Sequence, residues 1–263
     1  MPSYEHDIRH SVQSLHFIRR LVYRSSVEST NTLANSLARE GSDEWTVVVA
    51  DAQEHGRGRQ GRVWHSPPGV NVYTSIIVKP VIAYDDIPAI SLLAGMVVAI
   101  VLEHVSGIVA ELKWPNDVMI AGKKISGILL ELGNGDPGRP YLVVGIGINV
   151  NSEPGEYPGQ LSGSATSMKT LTGTTYDRAG LLNYLYREFH EWYTYYCSHQ
   201  GFMSIKEHYM QRFTMINKRV QIQSGAERMS GFVEDIDASG RLVLRDDRGE
   251  TTTIKSGDVY RVG

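Results

Sequence analysis

The chain has 263 residues and a formal net charge of −3 at pH 7. That length suits one large domain, or one with a small companion, and the mildly acidic balance argues against a broad nucleic-acid surface. The single cysteine, Cys197, excludes an internal disulfide and a cysteine-rich zinc site; residues 1–25 lack the apolar centre of a signal peptide, no run is read as reaching transmembrane length, and a cytoplasmic protein without a membrane partner is expected.

The first twenty residues are weakly periodic, and Leu15, Phe17, Ile18, Leu21 and Val22 suit a short helix or strand. Ser29, Thr30 and Asn31 precede Leu33, Ala34, Leu37 and Ala38 at helical spacing, and Gly41 stops the run. The three polar residues read as an N-cap, or as polar tips facing a ligand beside the helix N-terminus. Residues 45–52 form a buried, β-branched strand. Behind it comes Gln53-Glu54-His55-Gly56-Arg57-Gly58-Arg59-Gln60-Gly61-Arg62-Val63-Trp64. Glycines let a backbone approach a ligand closely, arginine forks match carboxylate and phosphate oxygens, and Trp64 offers a flat face. Pockets of α/β proteins open at strand ends. This loop is therefore expected to hold something anionic that also has a flat apolar part.

Residues 70–79 alternate as a second strand, and Pro88 opens a long helix. Its apolar girth, from Ile90, Leu93 and Val97 to Ile100 and Val101 with Leu92, Met96 and Ala99, predicts burial. It ends near Gly107. A short strand over 109–113 enters Lys113-Trp114-Pro115-Asn116-Asp117, where Pro115 imposes a kink. Strands over 118–121 and 124–131 read as a hairpin. Gly127 within the second predicts a close approach by a ligand or another backbone. A surface turn is expected over 134–140. The strand 141–151 contains Gly145 and Gly147 but is no dinucleotide fingerprint. A long loop to 175 with one helical turn near 164–171 follows. Asp177 caps a helix bearing Leu181, Leu182, Leu185, Phe189 and Trp192, and 202–213 is a further helix. From Asn217 five short strands alternate with glycine turns, which suits a small SH3-like barrel leaning on the larger domain. The expected division is 1–215 and 216–263.

Four islands then stand together: Glu28-Ser29-Thr30-Asn31, the arginine-glycine loop, Lys113-Trp114-Pro115-Asn116-Asp117, and Gly145-Ile146-Gly147-Ile148-Asn149-Val150-Asn151. Their order and spacing resemble the biotin–protein ligases, from about residue 25 through the C-terminal barrel. Some members carry an N-terminal DNA-binding domain. Too few residues precede Ser29 for one, so the resemblance implies a monofunctional ligase without a DNA partner. It implies an α/β (α+β) fold, a mixed sheet flanked by helices related to class II aminoacyl-tRNA synthetases, plus the SH3-like barrel. The implied substrates are biotin and ATP with Mg2+. Biotinyl-5′-AMP forms first, and biotin then passes to a lysine of a biotin carboxyl carrier domain of acetyl-CoA or pyruvate carboxylase. A monomer or weak homodimer is expected.

Carried over by position, the resemblance implies that Ser29, Thr30, Asn31 and Gln53 surround biotin, whose ureido ring suits hydroxyl and amide partners. Arg57, Gly58 and Arg59 wrap its tail and the phosphate, Lys124 touches the carboxyl–phosphate junction, and Gly127 allows close backbone approach. Arg62 contacts phosphate, Trp64 packs by adenine, Asn149 belongs to the adenine site, and Asn116 and Asp117 lie on the nucleotide and metal side. Arg59 and Lys124 are the implied catalytic residues. Gln60 departs from the basic residue that many relatives carry.

Plainer readings stand beside these. Lys113 reads equally as a solvated strand-end lysine, Trp114 as a wall residue, and Asp117 first as a turn cap. Lys123 is read as solvated, the aromatics over 184–196 and Cys197 as packing residues, and His55, His65 and His104 show no metal-ligand spacing. A lipoate–protein ligase is the alternative enzyme, although a linear acyl chain has no need of Ser29, Thr30 and Asn31. An octanoyltransferase needs a cysteine in a setting that Cys197 lacks. A non-enzymatic adaptor is the third reading.

Overall fold

The computed structural model describes residues 3–135 and 140–262. Seven strands make the larger sheet: β1 (Arg20–Val27), β2 (Thr46–Gln53), β3 (Val72–Val78), β4 (Glu111–Lys113), β5 (Asp117–Ile120), β6 (Lys123–Asn134) and β7 (Pro140–Ile148). Their spatial order is β1-β2-β3-β7-β6-β5-β4. β1 and β2 run parallel and the other neighbours antiparallel, so the sheet is mixed. The helices are α1 (Tyr4–Val12), α2 (Thr30–Arg39), α3 (Ile90–Ser106), α4 (Met168–Thr172), α5 (Arg178–Ser198) and α6 (Phe202–Met210).

The N-terminal reading holds only in part: Leu21 and Val22 lie in β1, whereas Leu15, Phe17 and Ile18 precede it. The helix lies earlier, over Tyr4–Val12, and β1 begins only at Arg20. Polar Ser3 accepts a hydrogen bond from the His6 N–H, and Glu5 pairs with Arg9 one turn on. Only Ile8 and Val12 of α1 are buried, too few for a visible apolar stripe. A second correction concerns the segment Tyr84–Ser106, which is long and apolar enough by composition to cross a membrane. Here it is core: α3 buries Leu93, Met96, Val97, Val98 and Val101 and ends at Gly107, whose φ of 71° is the left-handed C-cap. Every residue of β3 is buried, because both faces of the sheet are covered there. Asp177 accepts from the Ala179 and Gly180 N–H groups and caps α5. Of the aromatics on α5, Tyr186, Phe189, Tyr193 and Tyr196 pack inward, with Phe189 and Tyr193 against Trp45, whereas Tyr195 is exposed. Cys197 is half-buried at that core, and burial pushes its thiol pKa up. Of the turn expected over 134–140, residues 136–139 lie outside the described residues.

One face of the sheet packs on α1, α3 and α5 in the main core. On the other, α2 covers Val22, Val48, Ile77, Tyr141 and Val143 through Ala34, Leu37 and Ala38. Side chains alternate across a strand, so Gly145 and Gly147 continue the face of Tyr141 and Val143. Gly127 of β6 sits opposite Gly147, and Leu129 opposite Gly145. Beyond the N-terminus of α2 that face therefore becomes a trough.

A second, antiparallel sheet holds β8 (Arg219–Ser224), β9 (Glu227–Ile236), β10 (Leu242–Arg245), β11 (Thr251–Ile254) and β12 (Asp258–Val262), in the order β11-β10-β9-β8-β12. The five expected strands are present. The sheet is tied to the first by Trp114, only 2 % exposed, whose Nε1 donates to the Gly240 carbonyl at 3.1 Å. Trp114→Phe removes that donor and leaves the carbonyl unpaired. It is expected to cost about 1–3 kcal/mol, measured as a lowered midpoint in denaturant unfolding.

Candidate active site

The trough is roofed by the loop after β2 to make a cavity of about 420 Å³. Ser29, Thr30, Asn31, Gln53, Arg57, Gly58, Arg59, Arg62, Trp64, Asn116, Asp117, Lys124, Gly127 and Asn149 all line it. So does Lys113. The floor exists because of missing side chains. A Cβ on Gly145 would lie 2.1 Å from Asn31 Oδ1, and one on Gly147 would lie 2.5 Å from Trp64 Nε1.

At one end stands the start of α2. Ser29 occupies the N-cap position, yet its side chain makes no cap bond. Gln53 supplies the cap instead: its Oε1 accepts from the Thr30 N–H at 2.9 Å and the Thr30 hydroxyl at 3.1 Å, while its Nε2 donates to Ser66 at 2.9 Å. Asn31 Nδ2 donates to the Leu129 carbonyl and to Glu131, and its Oδ1 accepts from Ser75 at 2.6 Å. The side-chain cap expected of Ser29, Thr30 and Asn31 is thus not made, and the acceptor is drawn from a neighbouring strand. The amide hydrogens of Asn31 are engaged by the protein itself.

The arginine-glycine stretch folds as a tight hairpin. Arg57 bridges Val63, the Gly58 N–H donates to the Arg62 carbonyl at 2.7 Å, and the Trp64 N–H donates to the Gly56 carbonyl at 2.8 Å. Gln60 and Gly61 turn it with φ of 54° and 72°. Of the hairpin's three arginines, Arg59 is the one most covered, its side chain 22% exposed. Arg59 Nη1 donates to Asn116 Oδ1 at 3.3 Å, and Asn116 Nδ2 reaches the Ile128 carbonyl at 2.9 Å. Burial pulls the pKa of Arg59 down and the neighbouring Asp258 opposes that shift. Arg62 pairs with Asp258, and Arg59 lies 3.8 Å from the same carboxylate.

Lys124, at the start of β6, lies 2.5 Å from Asp117 Oδ1, off the axis of a well-aligned hydrogen bond. Its Nζ is 5.4 Å from the Trp64 ring centre. Lys124 is also fixed by the loop before α4, since its N–H donates to the Ser164 carbonyl and its carbonyl accepts from Thr166. Asn149 donates to that same segment at the Thr166 carbonyl, 3.0 Å away. Tyr157 adds a wall, its phenol pushed up to about 12 by burial.

Sequence reasoning missed two carboxylates. Asp258, 196 residues beyond Arg62, had no local signal. Glu131 closes the strand read over 124–131 and carries no further local sign. The glycines were the readable sign: Gly127, Gly145 and Gly147 all interrupt strands.

The fold and site are those of an α/β protein with a cavity polar at one end and cationic at the other, a shape and charge suited to a small ligand with an anionic head. The family described as "Biotin/lipoate A/B protein ligase family" matches residues 23–151, and "Biotin protein ligase C terminal domain" matches 215–262. The chain is 36% identical over 255 residues to "Bifunctional ligase/repressor BirA" of Bacillus subtilis, covering 97% of this chain and 78% of that protein. It is 32% identical to "Biotin--[acetyl-CoA-carboxylase] ligase" of Mycobacterium tuberculosis, covering 93% and 90%. The solved structure "Biotin protein ligase from Aquifex aeolicus in complex with biotin and ATP" superposes with a TM-score of 0.81 at 29% identity, covering 93% of this chain and 100% of that one. The chain belongs to the biotin protein ligases of this family.

Gly147→Val is expected to drive the Trp64 indole off the floor, at a cost of about 1–3 kcal/mol in stability. A red-shifted tryptophan emission that disappears when Trp64→Phe is added checks this.

Proposed function

We propose that the chain makes biotinyl-5′-AMP from biotin and ATP and transfers biotin to a lysine of a biotin carboxyl carrier domain. One observation carries the reading: Arg59, Arg62 and Lys124 converge on the same cavity as the polar cradle of Ser29, Thr30 and Gln53. The names of the Mycobacterium tuberculosis and Aquifex aeolicus relatives support it. They do not favour the lipoate alternative.

In the first step a biotin carboxylate oxygen attacks the α-phosphorus. The bond to the bridging oxygen breaks, and diphosphate leaves with the electron pair. Two anions must approach, so fixed positive charge is needed where charge develops. Arg59 and Lys124 supply it, while Arg62 holds phosphate. Each starts beside a carboxylate, Asp258 or Asp117, and exchanges it for substrate oxygens. In the second step the neutral lysine amine attacks the acyl carbon, AMP leaves with its electron pair, and the nitrogen loses a proton. Between the steps the hairpin shields the anhydride from water.

Biotin lies against Ser29, Thr30, Asn31, Gln53, Arg57, Gly58 and Gly127, and the nucleotide against Trp64, Asn116, Asp117 and Asn149. Mg2+ fits only as a companion of the nucleotide phosphates. Among the described residues no cluster of three His, Cys, Asp or Glu stands ready for a metal, and Asp117 is already paired with Lys124. We further take residues 1–215 as a class II synthetase-like catalytic domain and 216–263 as an SH3-like barrel. The carrier of acetyl-CoA or pyruvate carboxylase is the proposed partner of a cytoplasmic monomer or weak homodimer that binds neither DNA nor membrane.

Diphosphate release from ATP is expected with biotin alone; release with lipoate instead, or with neither acid, sinks the reading. Lys124→Ala is expected to slow that release by about 10²–10³-fold, read in a coupled phosphate assay. Arg59→Gly is expected to let the adenylate escape and label lysines of an unrelated protein, seen by avidin blot.

A further inference from the structure

Arg57, the first arginine of the hairpin, does not join the cationic end. Its Nη2 donates to Glu131 Oε2 at 2.9 Å. The same oxygen accepts from Asn31 Nδ2 at 2.8 Å and from Asn35 Nδ2 at 3.2 Å. Glu131 stands on β6 opposite Val143 of β7, on the face that also carries Leu129 and Gly127. It therefore marks the step where the apolar surface under α2 gives way to the cavity floor. Donors from α2 and from the loop meet there on one carboxylate oxygen held by a central strand.

The residue type matters. A carboxylate is acceptor-only, and beside a guanidinium its hydrogen bonds are charge-assisted. A glutamine at 131 adds two N–H donors to a place already supplied with three. The α2 side of the junction is rigid: the Asn31 carboxamide is held by the Leu129 carbonyl at 3.2 Å and by Ser75, in a slot where Gly145 leaves no room for a Cβ. The hairpin side is carried onward by the Arg57–Val63 bridge, so one contact at Arg57 fixes both limbs.

We infer that Glu131 is a positioning residue: by clasping Arg57 it fixes the root of the arginine-glycine hairpin to the cavity floor, so that Arg59 stands over the acyl–phosphate junction. Arg57 then serves as the clasp, and phosphate falls to Arg59, Arg62 and Lys124. This rests on the cavity being the biotin and ATP site. The Arg57 side chain is 43% exposed and that of Glu131 is 26% exposed. Pairs so accessible add little to global stability, so the clasp acts on the hairpin and not on the fold.

The test uses the full chain with Glu131→Gln, Arg57→Met and the double variant. It measures adenylate escape from the enzyme after a chase, biotin KM and kcat for diphosphate release, and the melting temperature. Each single variant is expected to speed escape about tenfold and to raise biotin KM by more than it lowers kcat, with the melting temperature held in Arg57→Met. The double variant is expected to be no worse than the worse single, and Arg57→Lys to restore part of the retention. Escape at the wild-type rate in Arg57→Met, or single effects that multiply in the double variant, overturns the clasp. Should Glu131→Gln fail to fold, Arg57→Met and Arg57→Lys carry the test. Wild-type diphosphate release with biotin separates the two readings. Its absence removes the functional one, whereas its presence with unaltered escape removes only the clasp.

Discussion

Three positions on one face of two adjacent strands carry no side chain, and the site exists because of it. Residues alternate across a sheet, so the face that packs on α2 through Tyr141, Val143 and Ile77 should continue apolar and filled. At Gly127, Gly145 and Gly147 it does not. The space is taken by the Asn31 carboxamide and the Trp64 indole, each too close to tolerate a Cβ on the strand beneath. The remainder is a cavity with a polar end, a flat wall and a rigid floor. Preorganisation of this kind spares a ligand the cost of ordering its own partners.

Charge closes the other side. The hairpin brings Arg57, Arg59 and Arg62 to the cavity, and each meets a carboxylate from a distant strand: Glu131 for the first, Asp258 for the other two. Guanidinium groups gathered so closely repel one another unless countercharge is present. Asp258 comes from the second sheet, so that sheet is part of the site. The two ion-pair systems differ in what they leave free. Glu131 also accepts from Asn31 and Asn35 and is built into the floor. Asp258 holds two arginines that an incoming phosphate also suits.

Much of the architecture was legible from local pattern. The apolar girth of α3, the cap at Asp177, the hairpin of β5 and β6 and the five short C-terminal strands all follow from side-chain period and turn residues close in sequence. The N-terminal helix was not legible, because two buried residues make no stripe. The membrane-length character of α3 was underestimated, and only its surroundings make it core. The residues gathered around the cavity were readable as islands of unusual composition.

The sequence by itself determined which local elements form and which chemistries are available: guanidinium on a glycine-rich turn, hydroxyl and amide groups at a helix start, three glycines in two strands. Tertiary structure alone decided the pairing. Gln53 caps a helix that begins 23 residues before it, and Glu131 and Asp258 divide the arginines between floor and second sheet. Periodicity and capping act over a few residues, whereas a hydrogen bond or ion pair depends only on distance in space, and chain folding sets that distance without leaving a mark in neighbouring residues.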